Sequence, residues 1–473
     1  MQYETLEPNP YAIVDSLRSI GYTFETAVAD LIDNSITAGA NQVDIDCVFD
    51  DCPKLFILDN GTGMDEGVLH KAMKLGGDGP SAERSSSDLG RFGLGLKTAS
   101  FSQCKKLTVI SKTKNGICQR CWDIDIIKER GWSIDKSLNA EYSAILDKYK
   151  TGTLVVWEKM DTLFQTIGEK SESLFAAKNE ALRSHLGLTF HRFIEDGRLS
   201  IRTGGAEVYA WDPFLPDVPV VQKIMGVRDE IAPNVFVEYV VLPHRSYFTD
   251  ASYKKAGHVK GWNQMQGFYI YRNDRLLAIA GWLGLREAGR LMKRDRFYDL
   301  ARIRIDISNE NDQKWNIDIK KSQASCPDVL VDTLSNIATK VRKTAYEVYK
   351  NRNYINIVKR TKGEVVILWN TDVSSGNLRL DLNPDFPLLK DFVATLDPAQ
   401  LKKFNKILKV VSDTVPTDKI CFELGGSEPR QMEDPLADCD FDDYTKDLVV
   451  SYMNYGYSKE DAIQLIKQLL NIQ

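Results

Sequence analysis

Long apolar runs are missing from this sequence: its 473 residues contain no stretch of 18 consecutive apolar positions, so no membrane-spanning helix is expected. The opening, MQYETLEPNPYAIVDSLRSIGY, lacks a basic region followed by an apolar one, so the reading expects a cytoplasmic protein without a secretory leader. Charge of one sign is not in excess either. Sixty-one Lys and Arg face 66 Asp and Glu, a net charge of -5, so global charge does not advertise nucleic acid. Eight cysteines are scattered, and reduced thiols are their simplest state in such a compartment. Cys118 and Cys121 form a CxxC, but no second ligand pair follows nearby, which favours a strand with incidental cysteines over zinc. No nuclease signature, zinc finger or extended heptad array occurs.

What remains is ordinary globular composition, 43% hydrophobic and 27% charged, in a chain too long for one core. The most informative stretch is Phe24 to Ala40, FETAVADLIDNSITAGA. Val28, Leu31, Ile32 and Ile36 repeat with helical spacing, and Asp30 and Asn34 lie one turn apart on one face. A carboxylate beside an amide can hold a water and a hard cation such as Mg²⁺, with the carboxylate left free as a base. The same residues also describe the solvated face of an amphipathic helix.

Two expected strands follow, NQVDIDCVFDD and KLFILDNG, the second ending in Asp59, Asn60, Gly61, Thr62, Gly63 and Met64. Gly61 and Gly63 permit a sharp turn and a close approach to a ligand, and Asp59 can accept from an exocyclic amine such as that of adenine. DNG is equally a common turn. After the expected helix DEGVLHKAMKLG comes a Gly- and Ser-rich segment whose end, Gly90, Arg91, Phe92, Gly93, Leu94, Gly95, leads into a helix carrying Lys97. Free amides and the dipole at a helix start favour anions, and Lys97 adds a point charge. The order is neither that of a P-loop nor of a dinucleotide-binding fingerprint. Strands KKLTVISKT, GICQRCWDIDII and TGTLVVWEKMD are expected next, the last offering the Thr153 hydroxyl to a phosphate.

ADLIDNS, LDNGTGM, GRFGLGLK and TGT, in this order, resemble the N box, the two glycine boxes and the last strand of the GHKL ATPases, a group that includes gyrase, MutL, histidine kinases and MORC. The closest look is MORC-like. The resemblance implies an α+β chain: a GHKL α/β sandwich over 1–165, an S5-like transducer domain with a helical connector over 166–340, and a mixed, largely helical region over 341–473. It implies ATP and Mg²⁺ as ligands, Asn34 as the metal ligand, Asp59 as the adenine-reading acid, and Gly61, Gly63 and Met64 beside the base. Gly90, Arg91, Phe92, Gly93, Leu94, Gly95 and Lys97 become lid and phosphate loop, and Thr153 the contact at the sheet end.

The general base of that group is usually glutamate; here Asp30, one methylene shorter, stands in its place, with Asp33 a less apt substitute. Slow ATP hydrolysis is expected. In MutL and gyrase a transducer lysine reaches the γ-phosphate, and Lys320 or Lys321 is the candidate here. The resemblance further implies homodimerisation on ATP binding, and a clamp that takes non-specific duplex DNA. The basic run between Arg286 and Arg304, with Phe297 and Tyr298 interleaved, is the candidate surface, or else a solvated loop. A rival reading is a non-catalytic, nucleotide-switched adaptor that recruits a protein effector through the C-terminal helices. Those helices flank Ser458, an expected cap, and packing on the body is the alternative role.

Overall fold

The computed structural model describes residues 3–4, 8–48, 52–75, 95–162, 172–218, 224–312, 314–317, 325–358, 369–372, 379–383, 385–414, 449–450, 452–453 and 457–469. The chain divides into two compact units, 1–348 and 349–473.

The first unit opens with helix α1 (Pro10–Arg18), capped by Asn9, whose side chain accepts from the Ala12 amide. Helix α2 (Phe24–Thr37) follows, started by a reciprocal capping box between Thr23 and Thr26. Strands β1 (Gln42–Val48) and β2 (Lys54–Asp59), helices α3 (Glu66–Met73) and α4 (Gly95–Gln103), and strands β3 (Lys106–Thr113) and β4 (Gly116–Asp123) come next. Helices α5 (Ile124–Arg130) and α6 (Ala140–Ile145) then precede β5 (Gly152–Glu158). The expected strand over GICQRCWDIDII is therefore too long. Asp123 ends it by accepting from the Asp125 amide, which caps α5 instead of continuing the ladder.

A connector helix (Glu172–Thr189) and a short helix (His191–Glu195) lead to β6 (Ser200–Thr203) and β7 (Ala206–Glu207). The first sheet runs β4-β3-β5-β2-β1-β6-β7, with β6 parallel to β1 and every other neighbour antiparallel. These last strands lie beyond residue 165, so the sheet is completed by a segment that the sequence reading grouped with the next domain.

Val43, Ile45, Ile57, Val109, Val155 and Trp157 on one sheet face meet Val28, Leu31 and Ile32 of α2, Phe101 of α4 and Leu182 and Leu186 of the connector helix. On the opposite face Leu58, Ile110, Leu154 and Val156 pack with Tyr142 of α6. Helix α2 is buried on more than the expected stripe, because Ala27, Ala29, Asp30, Asp33 and Ser35 are also covered. It lies between the sheet, α4 and the connector helix. Cys118 and Cys121 both sit on β4, where an offset of three sends their side chains to opposite faces.

The second sheet of this unit, β12-β11-β15-β10-β8 with β9 also on β10, holds β8 (Ile224–Met225), β9 (Asp229–Ala232), β10 (Val235–Val241), β11 (Gly267–Arg272), β12 (Arg275–Ile279) and β15 (Ala301–Ile307). Asn273 and Asp274, both at positive φ, make the two-residue turn between β11 and β12 that the RNDR sequence allows. A small separate hairpin is formed by β13 (Arg286–Glu287) and β14 (Arg290–Leu291). A long helix, Val331–Val358, begins in this unit and runs past residue 348.

In the second unit, β16 (Trp369–Asp372) pairs with β17 (Arg379–Leu382), and helices span Pro387–Ala394, Pro398–Thr414 and Lys459–Leu469. Ser458 caps the last of these by accepting from the Asp461 amide, and Tyr452 and Ala462 bury against Phe386. No helix among the described residues is long and apolar enough to cross a membrane.

His185, in the connector helix, is held down to about 3, first by burial and then by the charges of Arg275 and Lys260. Its folded value lies below its unfolded one, so only the unfolded chain gains this proton as pH falls from about 6.5 toward 3. Stability is therefore lost on acidification through that window. His185→Gln should give a flatter fall of melting temperature between pH 6.5 and 4 than the parent protein, followed by circular dichroism.

Candidate nucleotide site

Four separated segments meet at one end of the first sheet. Asp59, the last residue of β2, is 6% exposed, and its carboxylate collects three donors: the Ser35 hydroxyl of α2 at 2.9 Å, the Gly61 amide at 2.9 Å and the Thr153 amide of β5 at 3.2 Å. Burial raises its pKa, an effect that these three hydrogen bonds oppose. The Thr153 hydroxyl lies 2.8 Å from that of Ser111 on β3, which also accepts from the Met64 amide at 2.7 Å. The turn after β2 is thereby fastened across β5 to β3.

Two glycines make this closeness possible. Gly63 has φ +70, and a Cβ there would stand 2.1 Å from the Lys112 carbonyl oxygen. At Gly61 a Cβ would come 2.9 Å from the carbonyl oxygen of Ala38. Both positions require a backbone without a side chain, as the LDNGTGM pattern suggests.

On α2, Asp30 is buried and accepts from the Tyr22 hydroxyl at 2.8 Å through Oδ2, while its Oδ1 lies 3.6 Å from Nη2 of Arg275. Arg275 Nε donates to both oxygens of Asp33 at 3.2 Å. Asp33, the less apt substitute base, is thus engaged in a buried ion pair. Asn34 is exposed one turn beyond Asp30. Gly95, first residue of α4, stands so close to Asp30 that a Cβ on it would lie 3.8 Å from Oδ2.

Lys97 is buried, and its ammonium donates to the Ala72 and Lys74 carbonyls at 2.8 Å each, at the C-terminal end of α3. Burial pushes its pKa down to about 8. Gly90, Arg91, Phe92, Gly93 and Leu94 of the expected phosphate loop lie outside the described residues, as do Lys320 and Lys321. The basic run divides. Arg302 is buried, and Arg304 pairs with Glu238 at 3.2 Å, whereas Arg286, Arg290, Lys293 and Arg294 are exposed. Phe297 packs on Tyr346 and Tyr298 lies under Arg342, so neither aromatic is free to stack on a base.

Sequence reasoning missed Arg275, Tyr22, Ser35 and Ser111. The first has no local signal, since its partner is 242 residues away. Ser35 could have been found, because it follows Asn34 in the helix and directs a hydroxyl toward the sheet.

Residues 22–153 match the family described as histidine kinase-, DNA gyrase B- and HSP90-like ATPases, so this part of the chain is similar to a GHKL-type domain. It is MORC-like: the chain is 35% identical over 96 residues to Protein MICRORCHIDIA 1 of Arabidopsis thaliana, covering 19% of this chain and 15% of the relative. It is 40% identical over 81 residues to Protein MICRORCHIDIA 3 of the same plant, covering 16% and 13%. The chain thus spans about 15% of the length of the curated relatives it matches.

Gly63→Ala should cost well beyond the roughly 1–2 kcal/mol of a left-handed side chain alone, because it also drives a methyl into a backbone carbonyl. Gly197→Ala, at φ +69 with open space around it, should cost only that smaller amount. Urea unfolding of the two variants measures the difference.

Proposed function

We propose that the N-terminal domain binds ATP with Mg²⁺ and hydrolyses it slowly, with nucleotide binding favouring a homodimer. The observation that carries this reading is the Asp59 carboxylate. Two carboxylate oxygens offer about four lone-pair directions, and three donors meet them, leaving capacity for one more from an exocyclic amine. The glycine turn beside it packs its backbone against the Ala38 and Lys112 carbonyls and so holds the loop next to that carboxylate.

At the other end of the site, Asp30 is the candidate to take a proton from the attacking water, and Gly95 leaves room beside it. Asn34 would hold Mg²⁺: an exposed amide oxygen is the hard donor this ion prefers, and the ion keeps waters and phosphate oxygens as its other ligands. Bound there, it would neutralise phosphate charge. Lys320 and Lys321 remain the candidate contacts to the terminal phosphate, and the Gly90–Lys97 segment the phosphate loop. The exposed Arg286, Arg290, Lys293 and Arg294 suit salt-sensitive, sequence-independent contacts with duplex DNA. A clamp on DNA is the extension of this reading that the MORC resemblance supports.

One observation favours a second reading. Asp30 is shorter than the usual glutamate and both its oxygens are already approached, by Tyr22 and Arg275. A base so restrained suits a nucleotide-switched adaptor that turns over little and recruits a protein through its C-terminal helices.

Steady-state hydrolysis separates the two. Asp30→Asn should lower kcat by about a hundredfold or more with little change in KM, and duplex DNA should raise the wild-type rate. Turnover that does not depend on Asp30 would sink the base assignment, and tight ATP binding without hydrolysis would select the adaptor. Asp59→Asn should weaken ATP affinity by about tenfold or more, equal to about 1.4 kcal/mol, in equilibrium binding; unchanged affinity would remove the adenine contact.

A further inference from the structure

Arg275 opens β12 of the second sheet, yet its side chain is buried against α2 of the first, 4% exposed. Each nitrogen of its guanidinium has its own task. Nη1 donates to the Leu276 carbonyl at 2.9 Å and so fixes the side chain to its strand. Nε is shared between the two oxygens of Asp33 at 3.2 Å, and Nη2 lies 3.6 Å from Asp30 Oδ1. The ring of Phe190 lies 5.8 Å from the guanidinium carbon and helps to shield the cluster. Tyr22 is bonded to Asp30, and His185 of the connector helix feels the charge of Arg275. Tyr22 is tied in turn to α4, since its carbonyl accepts from the Gln103 amide at 3.3 Å.

The planar fork of arginine can address two carboxylates and its own strand at once; a lysine ammonium is a single point charge and cannot. The second sheet is further fixed to the connector segment by Arg192 with Asp306, by Arg198 with Asp274 at 2.9 Å and by His191 with Tyr271 at 2.9 Å. A displacement of β12 therefore acts directly on the oxygen of Asp30 that does not carry the tyrosine bond.

We propose that Arg275 is the positioning residue through which the second sheet governs Asp30, so that the seating of β12 on α2 and turnover at the nucleotide site are linked. This rests on the reading of Asp30 as the base of an ATP site. Linkage between two sites is reciprocal: if the seating of β12 alters Asp30, nucleotide bound beside Asp30 alters β12.

The test uses the full chain with Mg-ATP and compares the parent with Arg275→Lys and Arg275→Gln. Nucleotide affinity, steady-state kinetics and hydrogen exchange at residues 275–279 with and without ATP are measured for each. Arg275→Lys keeps a buried cation for Asp33, so it should melt near the parent temperature and bind ATP within about threefold, while kcat falls by about tenfold or more. The ATP-dependent change in exchange at 275–279 should be present in the parent and lost in both variants. A merely structural role would leave that change and kcat intact in a folded Arg275→Lys protein, and such a result overturns the proposal. In a parent that binds ATP without hydrolysing it, the exchange comparison decides alone. A parent that binds no nucleotide overturns the reading of the site, and the inference with it; a binding parent with indifferent variants overturns the inference only.

Discussion

Two carboxylates buried on one helix cannot be stabilised from within that helix. Asp30 and Asp33 lie three residues apart on α2, both nearly inaccessible to water, and a helix offers no donors to its own side-chain oxygens in mid-span. The counter-charge comes from Arg275, 242 positions downstream from Asp33, and the neutral donor from Tyr22. Removing one partner of such a buried set costs about 3–5 kcal/mol, far more than a surface pair is worth. The docking of the second sheet on the first is therefore a condition for keeping the charged face of α2 in the interior.

Asp59 meets the same constraint with neutral donors only. A hydroxyl from α2, an amide from its own turn and an amide from β5 share its charge, so no cation is needed and the position stays compatible with a neutral, amine-bearing ligand. The two acids thus differ in electrostatic surroundings. Asp59 sits among dipoles and suits recognition, whereas Asp30 sits beside a cation and a tyrosine and suits a regulated proton acceptor.

Much of this end of the sheet was legible in the sequence because its signals are local. The spacing of Val28, Leu31 and Ile32 marks α2, the glycines of LDNGTGM mark a turn that excludes side chains, and the alternation in NQVDIDCVFDD marks β1. The full burial of α2 was not legible, since Asp30, Asp33 and Ser35 read as a polar face. Only the tertiary partners, Arg275 and Asp59, reveal that polar face as interior. The extent of β4 failed for a local reason: Asp123 can serve as a strand residue or as a helix cap, and the capping hydrogen bond wins. The division of the basic run was not legible because residue type does not report exposure: Arg302 is buried and Arg304 pairs with Glu238, while Arg286, Arg290, Lys293 and Arg294 are exposed.

The parallel pairing of β6 with β1 bears on the order in which the domain can be made. Strand β1 finds β2 within a few residues, but its other edge stays open until residue 203 has left the ribosome. Parallel partners so far apart close a large loop, which is slow compared with hairpin formation. Until then Gln42–Ile45 presents an unpaired ladder, and a fragment ending near residue 165 would carry that exposed edge permanently and would be prone to self-association.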